Sequence, residues 1–599
     1  MGTPRSPLRI KRARGLRRGV FFVFAMLAAA FAAASNACGS SDRRPPFDDR
    51  PEAGLRDAPA SPETAPSFGS DAADTSACGL ARASGDPLGC EYFLFNVDWY
   101  ENGTANCVPL LVSNPGATPA RLNLEWAGAP VDVRRSARIV TGSGRVPVYD
   151  ELIDDELPPG ASAVIALLQG KSFPLEPDSR CPFPAVVDDT MAGAMHSALG
   201  SEATGRTSGP AFRLTATEPV LAVTLHLYNV ERDVGAGGTT LRSVESWGKE
   251  YLDVGVYRPG RPLSELPSYP GCLPSFTALV AKEATTIELM TKGGKKTLQL
   301  KAHEAVRMTQ DDLFIGTKIS GDHPFGAFAG SPDPCIPFHV PSGDSVLHSY
   351  AAPAQWGREY AAAPYPRRYP PSDDPAVWRI LARGDGTVLS YDPRPPAGAP
   401  TLLKAGELGV FSASEAFVVT SQDSAHPFHL SELMTSTLGV CSPEDVDAGF
   451  GCRGDPELFS IPPPDELANR VSFLTERTYP DTHLVVVRRK REQGGFADVT
   501  LDCAGALTGW VPIGSGDTYE TVSIALSRGK FEPQVYAGGT CGFGPHSMKS
   551  DGLFTVQVWG WDHAGAWDEP HVGGSLSYGF TVLGLRDRPD AGPRNCPPD

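Results

Sequence analysis

Outside its first 37 residues, this 599-residue chain has no apolar run approaching the ~20 residues of a membrane helix, which excludes a polytopic membrane protein. It is short of positive charge. Lys and Arg number 53 against 70 Asp and Glu, and the net charge of −17 argues against a nucleic-acid partner. No long segment keeps a helical period, and 63 Gly with 57 Pro interrupt the chain too often for a helical bundle or coiled coil. There is no C-x₂-C pair from which to build a cysteine zinc site, no G-x-S-x-G elbow and no EF-hand spacing.

What is present begins with an export signal. Arg5, Arg9, Lys11, Arg12, Arg14, Arg17 and Arg18 precede an apolar run from Val20 to Ala34, with no acid among them. Ser35-Asn36-Ala37-Cys38 then reads as a lipobox, in which Cys38 is acylated and becomes the mature N-terminus. Several acyl chains on one residue anchor firmly, at about 0.8 kcal/mol per buried methylene. Residues 38–87 are rich in Pro, Ala, Ser and Asp and read as a flexible stalk after the 1–37 signal peptide.

With 41% hydrophobic residues the body can build real cores, and its pattern is β. Val223, Leu225 and Leu227 alternate with Thr224, His226 and Tyr228, and Phe554, Val556 and Val558 alternate with Thr555 and Gln557. Short strands between frequent turns predict an all-β protein of tandem β-sandwich-like modules, with a β-propeller-like arrangement as the alternative. An internal repeat supports the modules. Gly89-Cys90-Glu91-Tyr92, Gly248-Lys249-Glu250-Tyr251 and Gly357-Arg358-Glu359-Tyr360 each open a copy, the last two after Trp247 and Trp356. Each copy closes through Pro219, Pro324 or Pro427, expected where no amide donor is needed. The three tyrosines are expected in equivalent places. The layout is repeat 1 over 88–246 with an insert near 171–210, repeat 2 over 247–355 and repeat 3 over 356–455. A different C-terminal β unit follows over 456–585, then a flexible tail over 586–599.

Several residue clusters invite chemistry and are outweighed by plainer readings. His426, His429 and Asp423 have metal-ligand character but flank a repeat turn; the acidic pairs Asp154-Asp155, Asp188-Asp189, Asp311-Asp312 and Asp373-Asp374 read as solvated loops. Gly343-Asp344-Ser345 lacks a hydrolase's distant partners, and Arg453-Gly454-Asp455 reads as a chance tripeptide. The insert, which carries Cys181, reads as a loop, with ligand contact as the alternative. No catalytic, cofactor or metal site is assigned. The cysteines of an exported chain are expected to bridge, with near neighbours favoured: Cys90 with Cys107, Cys441 with Cys452, and Cys503 with Cys541.

The order of landmarks resembles the N-terminal domain of the IgG Fc-binding protein family, whose bacterial members include myxobacterial-type lipoproteins. The residues that carry it are Thr317-Lys318-Ile319-Ser320, Pro324-Phe325-Gly326-Ala327-Phe328-Ala329-Gly330, Cys335-Ile336-Pro337, Trp356-Gly357-Arg358 and Ser577-Tyr578-Gly579-Phe580. The chain reads Gly343-Asp344-Ser345 where the family often has a second Cys, so that local bridge is not carried over. The resemblance implies a binding scaffold over roughly residues 88–585 and no ligand residues. The expected function is a cell-surface or envelope lipoprotein acting as a binding or adhesion module for a protein or glycan, not an enzyme. An exported hydrolase and a structural envelope component are the alternatives. Membrane attachment runs through lipid on Cys38, at the outer membrane or cell surface. Replacing Cys38 with Ala should move the protein from the membrane to the soluble fraction and abolish uptake of labelled fatty acid.

Overall fold

Strands dominate because the apolar residues alternate, and each of four modules uses them in the same order. The computed structural model describes residues 74–95, 107–169 (without 143 and 145), 181–187, 206–225, 237–256, 275–309 (without 292 and 293), 315–331, 334, 336, 345–368, 374–436, 453–562 and 576–587. The chain separates into two units, Met1–Asp71 and Ala72–Asp599, and everything described lies in the second.

Each module opens with a short strand: Gly89–Leu94, Gly248–Leu252, Glu359–Ala362 and Ala468–Thr475. A core strand follows: Cys107–Ser113, Phe276–Ala281, Ala376–Ala382 and Asp481–Arg489. A long closing strand then runs through both sheets of the sandwich: Phe212–Leu225, Lys318–Ser331 and Gly544–Trp561, or in the third module the pair Phe417–Ser421 and Phe428–Leu433. Its first half pairs antiparallel with the opening strand, and its second half with the core strand. A last, inner strand borders that second half: Gly238–Thr240, Val346–Ser349, Leu458–Ser460 and Ser577–Val582. The sandwich-like modules expected from sequence are therefore present. The sequence set the C-terminal unit apart as different, yet its strand order matches the other three.

Where the closing strand crosses between sheets, the ladder skips. Gly89 pairs with Val220 and Glu91 with Thr215, Gly248 with Phe325 and Glu250 with Ser320, and Ala468 with Phe554 and Arg470 with Lys549. Such a bulge takes backbone groups out of the ladder inside a buried region, where each needs another partner. The repeat tyrosine supplies one. Tyr251 Oη accepts from Gly248 N at 3.1 Å and donates to Phe325 O at 2.8 Å. Tyr92 joins Gly89 N to Val220 O, and Tyr360 joins Gly357 N to Phe428 O, in the same way. Burial pushes the Tyr251 hydroxyl up to about 12, so it remains a donor. Pro219 and Pro324 lie inside the closing strand at this skip, and Pro427 immediately precedes Phe428–Leu433. In the fourth module Val471 replaces the tyrosine, and Asn469 Nδ2 donates to Gly552 O at 2.8 Å instead.

The second half of each closing strand is buried along its length, whereas the first half alternates with solvent. The reason is that modules pack on one another. One apolar cluster joins modules one and two, a second joins two and three, a third joins three and four, and a fourth joins four back to one. The modules thus close into a ring. Arg206–Pro210, at the end of the insert, stitches the first two together by pairing with Glu304–Thr309 of the second.

Two expectations need correction. The composition of residues 38–87 reads as stalk throughout, but within it Ala77–Ser84 is a helix, capped by Ser76 on Gly79 N and ended by Gly85 at φ 63°. Cys78 bridges to Cys90 and pins this helix to the first opening strand. Cys90 therefore does not pair with Cys107: the two lie in opposite sheets of the module, and Cys107 bridges to Cys181 of the insert. Cys503 is bridged to Cys541. Cys38, Cys441 and Cys452 lie outside the described residues.

The opening glycines are required by close approach to the next linker. A Cβ on Gly248 would stand 2.6 Å from Ala352 Cβ, and one on Gly357 2.6 Å from Pro463 Cβ. In the fourth module the small residue changes sides: Ala468 carries the Cβ and Gly584 lacks it. Gly248→Ala should therefore cost about 1–3 kcal/mol in urea unfolding. Adding Ala352→Gly, which copies the fourth module, should recover most of the loss. If the double variant is no more stable than the single one, the two positions are not interchangeable.

Candidate functional site at the ring axis

Register places one hydroxyl residue of each inner strand at the same level. Thr240 pairs with Val223, Ser349 with Phe328, Ser460 with Ser431 and Thr581 with Gln557, each three residues beyond its module's bulge partner, Val220, Phe325, Phe428 or Phe554. These four positions face one another around the axis. Thr240 Oγ1 donates to Thr581 O, and Thr581 Oγ1 donates to Ser460 O at 3.1 Å. Ser460 Oγ lies 2.7 Å from both His348 Nε2 and His429 Nε2. Ser349 Oγ accepts from Arg242 N at 3.4 Å, and Thr239 Oγ1 donates to Leu347 O. Every inner strand is thereby tied to another module.

Arg242 crosses between linkers. Its guanidinium donates to both carboxylate oxygens of Glu466, at 2.5 and 3.2 Å, and to Gln355 Oε1 at 3.3 Å. Arg242 belongs to the linker after module one, Gln355 to that after module two and Glu466 to that after module three. Gln355 also donates to Gly85 O, at the end of the N-terminal helix. The pair is almost dry, with side-chain exposures of 8% and 9%.

Burial pushes His348 down to about 3, with the Arg379 and Arg242 guanidinium groups acting in the same direction. His429 is held well below the usual imidazole range by burial, then by His348, Arg379 and Arg242. Both rings are neutral at physiological pH. Ser460 between two histidines has the outline of an activated nucleophile, but neither ring is backed by a carboxylate among the described residues. The axial cavity measures about 40 Å³ and is lined by Thr240, Ser349, Ser460, Thr581, Arg242 and Glu466. That is room for ordered water, which needs roughly 10–15 Å³, and far below the roughly 300 Å³ of an organic-ligand site. The axis is a joint between modules.

The clusters singled out in the sequence are not brought together. His426 pairs with Asp423 at 2.7 Å on the surface, while His429 turns inward to Ser460. Asp155 meets Arg134 at 3.3 Å in an exposed turn. Asp374 is buried against Arg368 at 2.8 Å. Asp188, Asp189, Asp311, Asp312, Asp373, Gly343 and Asp344 lie outside the described residues, and Ser345 is buried. The Arg-Gly-Asp tripeptide is not presented for recognition, since Asp455 is buried and Arg453 lies 3.7 Å from Asp481. Asp502, Cys503 and His546 are the one metal-like grouping among the described residues, but the sulfur of Cys503 is committed to Cys541. Sequence reasoning missed the axial residues. Their signal was present: Thr240, Ser349 and Ser460 stand seven places before Trp247, Trp356 and Leu467.

A model of the family described as IgGFc binding protein matches residues 237–560, just over half of the chain. No curated protein and no solved structure gives a match. The matched span starts at the first inner strand and ends within the fourth closing strand.

The neutral histidines give a pH signature. Below the unfolded value of 6.5 the unfolded chain binds a proton that folded His348 refuses until about 3. Stability contributed here is therefore complete above pH 6.5 and is lost as pH falls, at up to about 1.4 kcal/mol per unit. His348→Gln should reduce the slope of unfolding free energy between pH 6.5 and 5 by about one proton. An unchanged slope would show that His348 titrates normally in the folded ring.

Proposed function

The chain belongs to the IgGFc-binding protein family, and from that premise we propose that it is a binding or adhesion scaffold of the cell envelope. The observation that carries the reading is the closed ring. Four sandwiches share one hydrogen-bonded axis and apolar joints on both sides, which fixes their outer turns and edges relative to one another. Fixed outer surfaces lower the ordering cost of recognising a ligand. The export signal and the lipobox at Cys38 support attachment to the outer membrane or cell surface, with the 38–73 stretch as a tether. The ligand under this reading is a protein or glycan met outside the cell.

The test is direct binding. The full chain with Cys38→Ala, kept soluble, should bind a purified envelope protein or an arrayed glycan saturably, and Ser460→Ala should leave that binding unchanged. Turnover of ester or glycoside substrates that disappears in Ser460→Ala would overturn the scaffold reading in favour of a hydrolase.

A further inference from the structure

The fourth module departs from the other three at one row of its outer sheet. In modules one to three the row across the opening, closing and third strands reads Glu91–Thr215–Asn123, Glu250–Ser320–Glu288 and Glu359–Thr420–Ser390. The Glu of each row is already engaged: Glu91 by Arg213 and Lys282, Glu250 by Lys318, and Glu359 by the Tyr519 hydroxyl. In module four the row reads Arg470–Lys549–Thr500. Two cations directly opposite on neighbouring strands repel, so the row costs stability that the acidic version does not. Asp587 relieves Arg470 in part, at 3.6 Å on an exposed edge.

This row floors a groove of about 540 Å³, in the size range of small-ligand sites. Arg491 adds a third cation, and Phe496 contributes an aromatic wall. The ring of Phe496 is held from outside the groove by Arg488, 5.0 Å from its centroid, which is itself stacked 4.0 Å over Trp510 and bonded to Glu520 at 2.6 Å. Asp498, Asp551 and Asp587 also line the groove, three carboxylates beside its three cations. They disfavour a polyanion such as a nucleic acid, while offering acceptors to hydroxyl groups. Cations for an isolated acid group, carboxylates for hydroxyls and an aromatic ring for C–H faces are together the requirements of an acidic sugar.

We propose that this groove binds an acidic carbohydrate, its carboxylate held by Lys549, Arg470 and Arg491 and a sugar face set against Phe496. The inference rests on the scaffold reading and assigns one of its ligand classes to one module. Calorimetric titration of the full chain with oligogalacturonate should show saturable binding that weakens between 50 and 500 mM salt, with uncharged galactose oligosaccharides at least tenfold weaker. Arg470→Glu with Lys549→Thr, which restores the row of the other modules, should reduce oligogalacturonate affinity at least tenfold while the melting temperature stays level or rises. If that pair fails to fold, Lys549→Gln should still lose affinity and Phe496→Trp should keep it. Absent binding, equal binding of the uncharged sugar, or a folded variant of unaltered affinity would overturn the groove. The scaffold reading would survive those results if an envelope ligand still bound elsewhere on the ring, and would fall separately if none did.

Discussion

A guanidinium sits on the axis of the ring with almost no water around it, and the arrangement of the modules follows from what it must find there. Taking such a charge out of water costs several kcal/mol even after relaxation, so Arg242 is tolerable only where Glu466 and Gln355 arrive together. Those residues lie in the two following linkers. One local requirement therefore sets the relative positions of three linkers and, through Gln355 and Gly85, of the N-terminal helix. A buried ion pair of this kind is poor evidence for net stability and better understood as a device that fixes register. The hydroxyls of Thr240, Ser460 and Thr581 extend the same register around the ring by bonding carbonyls or imidazoles that neighbouring modules present.

No module is complete without its neighbours. The second half of each closing strand is buried on both faces, one by its own sandwich and the other by the adjoining module. Separating one module would expose a sheet face and leave half of a shared apolar cluster in water. Close backbone approach enforces the spacing. Gly89, Gly248 and Gly357 meet Ser243, Ala352 and Pro463, and in the fourth module the absent Cβ moves to Gly584. A contact that needs one Cβ and one gap accepts either order, which is why the fourth opening reads Ala-Asn-Arg-Val while the fold is unchanged.

That substitution also explains how much could be read in advance. The repeat motif was legible because its parts have one job each: the glycine makes room, and the tyrosine joins a donor and an acceptor across a bulge. The fourth copy was hidden because both jobs are done by other means, by Gly584 and by Asn469. Period-2 alternation marked the strands, but nothing local distinguished a sandwich standing alone from one in a ring. The Cys90 and Cys107 thiols looked like neighbours along the chain. Partnership is decided by sheet, though, and the two sheets of one module separate them. The axial hydroxyls were in the sequence at constant spacing, yet Ser and Thr are common enough that only the register makes them a set.

The alternatives for function divide over how the symmetry is used. Catalysis needs one pocket with a nucleophile, a base and room for a substrate. At the axis a serine and two histidines do meet, but the space is that of a few waters and burial leaves the imidazoles weak bases for a serine proton. The chemistry that looks enzymatic is consumed in joining modules two and three. What symmetry leaves over is its exceptions, because a residue that differs at one of four equivalent positions is not required by the shared fold. Arg470 and Lys549 are such an exception: three modules show that Glu opposite Ser or Thr suffices for this row. The shared fold does not need two opposed cations there, and their mutual repulsion works against it. In a ring of equivalent sandwiches, the outer face of the fourth module, and not the axis, carries the groups that the fold itself does not use.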